Sequence, residues 1–156
     1  MSITLNRDLI LLDVDAGSQY ELLSIAADNL HQQGYVKDSF REAVIAREKV
    51  FATGLPTMSS GGVAIPHTDI EHVEKAAISF CKLKNPVEFV VMGDENSRVS
   101  VNMIFMLALK EAHSQIEMLQ ELMGILQDEE ALEFLKKECD KDSICRFLQG
   151  RLPDVA

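Results

Sequence analysis

At 156 residues, 47% of them apolar, the chain is long enough to bury a sizeable core and short enough to be one domain, 1–156. Its 25 Asp and Glu against 15 Lys and Arg leave a formal charge of −10, a field that repels phosphate backbones, argues against nucleic-acid binding and favours a partner with basic character. The N-terminus lacks the basic start and long apolar core of a signal peptide. No apolar run is long enough to span a bilayer, and Cys81, Cys139 and Cys145 show no C-x-x-C spacing, so the expectation is a cytoplasmic protein with reduced thiols, no disulfide framework and no direct membrane insertion.

The N-terminal arm leads into a helix announced by a capping box, Ser18-x-x-Glu21, with Leu22, Leu23, Ala26, Ala27 and Leu30 at helical spacing and Gly34 as its stop. A second box, Ser39-x-x-Glu42, predicts a helix to about Val50 that turns Phe40, Ala43, Val44 and Val50 inward. Residues 51–62 are rich in Gly, Pro, Ser and Thr and read as a loop. Val63, Ala64 and Ile65 then read as a buried strand that Pro66 must end, because proline lacks a ladder donor and holds the residue before it extended. Ala76 to Leu83 and Val99 to about Leu109 read as strands apolar on both faces, and Val87 to Met92 as a shorter one before a turn at residues 93–96. A third box, Ser114-x-x-Glu117, opens a helix with a stripe of Ile116, Leu119, Met123 and Leu126, and two shorter helices start near Asp128 and Asp140. Without repeats or linkers, strands interleaved with helices predict an α/β sandwich, a central mixed β-sheet flanked by helices on both faces.

This order presents His67 at a strand end, directly after Pro66. Imidazole, with an unperturbed pKa of about 6.5, keeps a neutral nucleophilic nitrogen near neutral pH. The plain alternative is a histidine that happens to follow a turn proline. His113 falls at a strand-to-helix junction just ahead of the predicted helix N-terminus, whose amides and dipole favour a dianion. Arg47 lies late in the second helix and offers a bidentate fork for phosphoryl oxygens. Together these residues would make a covalent phosphoryl-transfer site that needs no metal or cofactor. Singly, each has a bland reading: His113 as a solvated or capping residue, Arg47 as a surface ion pair with Glu48 or Glu42.

Ala46-Arg47-Glu48-Lys49, Thr53-Gly54-Leu55, Gly62-Val63-Ala64-Ile65-Pro66-His67 and Glu111-Ala112-His113, in that order, resemble the signature of the fructose/mannitol-type IIA (EIIA type-2) domain of the bacterial phosphoenolpyruvate-dependent sugar phosphotransferase system (PTS). The Arg-Glu-x-x-Phe-x-Thr-Gly-Leu and Pro-His-Thr-Asp wording is most similar to the galactitol-specific members. The resemblance implies a phosphotransferase component in sugar or hexitol uptake, with His67 as a phosphohistidine that takes its phosphoryl group from the phosphocarrier HPr and passes it to a cysteine of a IIB partner. By the same match His113 and Arg47 stabilise the transferred group, and association with a membrane IIC component would run through IIB. A phosphorylation-switched regulatory binding module of the same fold is the alternative.

Many members place a tight Thr-Gly-x-Gly turn before the strand. Here Leu55 to Gly62 replaces it, which leaves Ser59, Ser60 and the backbone amides around Gly61 as candidate phosphate contacts. A metal site of His67, Asp69 and His72 is the remaining reading, disfavoured by a spacing that matches no common zinc pattern. His31 reads as solvated, and Met103, Met106, Met118 and Met123 as core filler.

Overall fold

The computed structural model describes residues 2–58 and 61–156. Among these, the sheet is built on a long antiparallel hairpin, β4 (Ala77–Val91) and β5 (Asp94–Ala108), whose pairing starts at Ala77 opposite Ala108. The two strands reverse at Met92-Gly93, where Gly93 takes a φ of +78° that a β-carbon would oppose. The sequence reading breaks this hairpin into shorter strands at the polar residues of its outer half. The pairing carries through them, with register shifts between Lys82 and Val87 and between Val90 and Val91. β1 (Ile10–Val14) runs parallel to β4 on its far side, Ile10 opposite Phe80. β3 (Gly62–Ala64) runs parallel to β5, and β2 (Gly54–Pro56) pairs antiparallel with β3 and touches β4 at Val91. Neither β1 nor β2 stands out in the sequence: β1 is held by β4, far along the chain, and β2 is a three-residue strand inside the turn-rich stretch, paired with the equally short β3.

The mixed sheet with its helices is the α/β fold expected. Every residue from Ala77 to Cys81 and from Met103 to Leu109 is buried. Since successive side chains point to opposite faces of a strand, both faces are covered there. Burial pushes the Cys81 thiol up to about 12, so it behaves as a small apolar residue, and all three cysteines are free.

Helix α1 (Gln19–Gln32) begins as its box predicts: the Ser18 side chain accepts from the Glu21 amide at 3.2 Å. All five of its expected core residues are buried, and Gly34 follows at a φ of +87°. α2 (Phe40–Val50) departs from expectation at both ends. The Ser39 hydroxyl makes no cap but meets His72 Nδ1 at 2.7 Å, and Val50 is exposed while Glu48 is buried. α3 (Ala112–Leu126) starts two residues before Ser114, so that box is internal to the helix; its buried residues are Met118, Leu122 and Ile125, whereas Ile116 is exposed. α4 (Glu129–Lys137) and α5 (Lys141–Arg151) are capped by Asp128 and Asp140. The Lys82 ammonium, projecting from β4, donates to the carbonyls of Leu135, Lys136 and Glu138 and so closes the C-terminal end of α4 with a cation.

Two glycines let the β2–β3 loop lie against the hairpin. A β-carbon at Gly54 would stand 2.6 Å from the Val90 carbonyl oxygen, and one at Gly62 would stand 2.6 Å from Val99 Cγ2. Beyond β3 the chain keeps hold of β5: the Leu107 amide donates to the Pro66 carbonyl at 3.0 Å, and His67 bridges to Leu107. The segment at the Pro66-His67 junction is therefore anchored to the buried half of β5.

Candidate phosphoryl-transfer site

His67 is partly buried, and its ring is oriented by one bond, Nδ1 to the Ile65 carbonyl oxygen at 2.9 Å. A carbonyl oxygen only accepts, so this bond requires the hydrogen on Nδ1 and leaves the lone pair on Nε2. Burial lowers the pKa of His67 below the ordinary histidine value. The Ile65 bond works the other way, and the positive charge of Arg47 lowers the pKa further. The ring is thus held neutral, with Nε2 as its nucleophilic nitrogen, beside a cation suited to an incoming dianion.

That cation comes from the last turn of α2. The Arg47 guanidinium stacks on Phe51, 4.7 Å from ring centroid to Cζ, and Nη1 donates to Asp69 Oδ1 at 3.4 Å. Its Nε is buried with no hydrogen-bond partner among the described residues. The ion-pair partner is Asp69, two residues after His67, and neither Glu42 nor Glu48. Glu48 instead faces inward and accepts from the Thr53 amide at 2.7 Å and the Thr53 hydroxyl at 2.8 Å. Burial raises its pKa while both Thr53 bonds lower it. This clamp ties the helix turn that carries Arg47 to the residue just ahead of β2. Its signal in the sequence is a Glu beside the candidate Arg with a Thr five residues on, a spacing that the loop alone does not interpret.

His113 occupies the first turn of α3 rather than the position ahead of it. Its ring points to Glu117, Nε2 to Oε1 2.5 Å, with the side chain 79% exposed. The helix turn that carries it does approach the His67 segment, since Gln115 Nε2 donates to the Thr68 carbonyl at 2.8 Å. The structure therefore unites His67 with Arg47 and places His113 on a neighbouring turn with its imidazole paired elsewhere. Of the candidate loop contacts, Ser59 and Ser60 lie outside the described residues, and Gly61 has a φ of +80° with its carbonyl accepting from both the amide and the hydroxyl of Thr57. His72 and Asp69 are engaged by Ser39 and Arg47, and His31 pairs with Asp38 on the surface.

A family model described as phosphoenolpyruvate-dependent sugar phosphotransferase system, EIIA 2, matches residues 3–150, and the chain belongs to that family, whose domains carry phosphoryl groups. Over 115 residues the chain is 31% identical to the galactitol-specific EIIA component of Escherichia coli (strain K12), covering 74% of this chain and 75% of that protein. Over 141 residues it is 30% identical to the transcriptional regulator ManR of Bacillus subtilis (strain 168), covering 90% of this chain but only 20% of the regulator. Among solved structures, the complex of mannitol enzyme IIA and phosphorylated IIB from Escherichia coli matches with a TM-score of 0.76 and 26% identity, covering 96% of this chain and 100% of that one. The crystal structure of IIA mannitol from the same organism matches with a TM-score of 0.72 and 26% identity, covering 92% and 98%. No helix of the described residues is long and apolar enough to cross a membrane.

Proposed function

We propose that the domain is a phosphocarrier that accepts a phosphoryl group from phospho-HPr on Nε2 of His67 and passes it to a IIB cysteine during uptake of a hexitol, galactitol being the one favoured by the 31% identical relative. The observation that carries this reading is the pairing of Nδ1 with the Ile65 carbonyl, which leaves Nε2 as the attacking atom beside Arg47. As the P–Nε2 bond forms, the donor's bond to phosphorus breaks and the proton stays on Nδ1, donated to the Ile65 carbonyl, so the chain need not move a proton. Positive charge developing on the ring is then shared with the Ile65 carbonyl, and negative charge on the phosphoryl oxygens faces the guanidinium. A IIB partner is supported by the mannitol IIA–IIB complex, whose IIA chain shares this fold.

Incubation with phosphoenolpyruvate, enzyme I, HPr and candidate IIB proteins tests the proposal, with mass mapping of the label. The expected product is an acid-labile, base-stable phosphoramidate on His67, absent from His67→Ala and dischargeable to IIB. Label on another residue, or undiminished label in His67→Ala, removes its basis. A regulatory reading is favoured by the match to ManR; it predicts phosphorylation of His67 without discharge to any IIB.

A further inference from the structure

Among the described residues Arg47 has one oxygen partner, and that partner is weak. Asp69 meets it through a single 3.4 Å contact, with the carboxylate side chain 66% exposed. Phe51 fixes the guanidinium plane from the other side, and Nε is buried without an acceptor. A guanidinium normally engages an oxyanion through two parallel N–H groups. Here a carboxylate holds only Nη1, while the buried Nε has no acceptor among the described residues.

We infer that Asp69 is a positioning residue that holds Arg47 beside His67 in the unphosphorylated domain and gives up the guanidinium to the phosphoryl group once it is bonded to Nε2. This rests on the carrier reading above and adds an exchange of ion pairs to it. In the exchange the donor's bond to phosphorus breaks as P–Nε2 forms, the hydrogen on Nδ1 remains, and the displaced Asp69 carboxylate passes to water. The short link His67-Thr68-Asp69 keeps the two anions close to each other, and the buried carbonyl side of Thr68 is fixed by Gln115, so Asp69 is the group free to yield.

Exchange has an opposite signature to simple assistance. If Asp69 competes for Arg47, Asp69→Asn raises the equilibrium constant for phosphorylation by phospho-HPr, about two- to fivefold for an exposed ion pair. In an Arg47→Gln background the same substitution should have little effect, because there is no guanidinium to compete for. An unchanged or lowered constant in Asp69→Asn overturns the inference. So does an effect that persists undiminished in Arg47→Gln, since it would mean bare repulsion between Asp69 and the phosphoryl group. A partner-free arm uses potassium phosphoramidate as chemical donor and follows Arg47 Nε and the Asp69 carboxyl carbon by NMR in the unmutated chain. Exchange moves both signals on phosphorylation, and a static Asp69 signal in phosphorylated protein rejects it even if no variant folds. Labelling by phosphoramidate but not by phospho-HPr would count against the carrier reading alone.

Discussion

Removing the Glu48 carboxylate should damage the site through the loop it clamps, without touching any reacting atom. In Glu48→Ala the Thr53 amide and hydroxyl lose their acceptors inside the protein. At about 1–3 kcal/mol for each buried unsatisfied group, with the hydroxyl able to turn to another partner, the loss is about 2–4 kcal/mol. Against a total stability of about 5–15 kcal/mol that is a large fraction. Glu48→Gln retains both contacts, its carbonyl accepting from the amide and its NH2 donating to the hydroxyl, so it should lose less than about 1 kcal/mol. The two variants also separate charge from clamp. Burial raises the Glu48 pKa in the folded chain, so its contribution to stability is full below the unfolded carboxylate value and declines as pH rises through the raised folded value. Glu48→Gln, which has nothing to titrate, should flatten that part of the profile. Urea unfolding of the three proteins from about pH 4, near the ordinary carboxylate value, up to about pH 7.5 measures both effects, and phosphoryl transfer from phospho-HPr reads the consequence for Arg47. Equal destabilisation by Ala and Gln, or an Ala variant as stable as the unmutated chain, would refute the clamp.

Because burial lowers the His67 pKa, the rate of phosphorylation should stay level as pH falls through the ordinary histidine value of about 6.5 and drop only below it, as a rate profile against phospho-HPr will show. The same shift makes the unfolded chain bind more protons over that interval, so the contribution of His67 to stability is lost as pH falls from about 6.5 toward its folded value, which His67→Gln should abolish in urea titrations. Arg47→Lys should preserve the fold and slow transfer roughly ten- to a hundredfold, because one ammonium cannot reproduce two fixed donors; an unchanged rate removes Arg47 from the site. His113→Ala should retain phosphorylation of His67 yet slow transfer on the order of a hundredfold if the ring leaves Glu117 to meet the phosphoryl group, and rapid-quench rates equal to the unmutated protein would make it a surface residue.

Short-range rules were enough for much of this chain. Ser18, Asp128 and Asp140 cap the helices they precede, Gly34 follows the first, and Pro66 ends the strand before His67. Each of these acts on backbone groups within four residues, so its effect is written beside it. The motifs around Arg47 and His67 likewise identified the family, since they sit in consecutive segments. Tertiary structure decided whatever depended on a distant partner. Ser39 has the same local wording as Ser18, but His72, 33 residues away, takes its hydroxyl. Glu48 turns inward and Val50 outward against the apolar pattern because Thr53 supplies the two donors that make a buried carboxylate tolerable. Arg47 finds Asp69, 22 residues on, rather than its helix neighbours, and β1 exists only through β4, dozens of residues later. Caps, periodicity and the bond from His67 Nδ1 back to the Ile65 carbonyl are properties of a few residues of chain, whereas the long strand pairings and the contact of Arg47 with Asp69 are set by groups that only folding brings within reach.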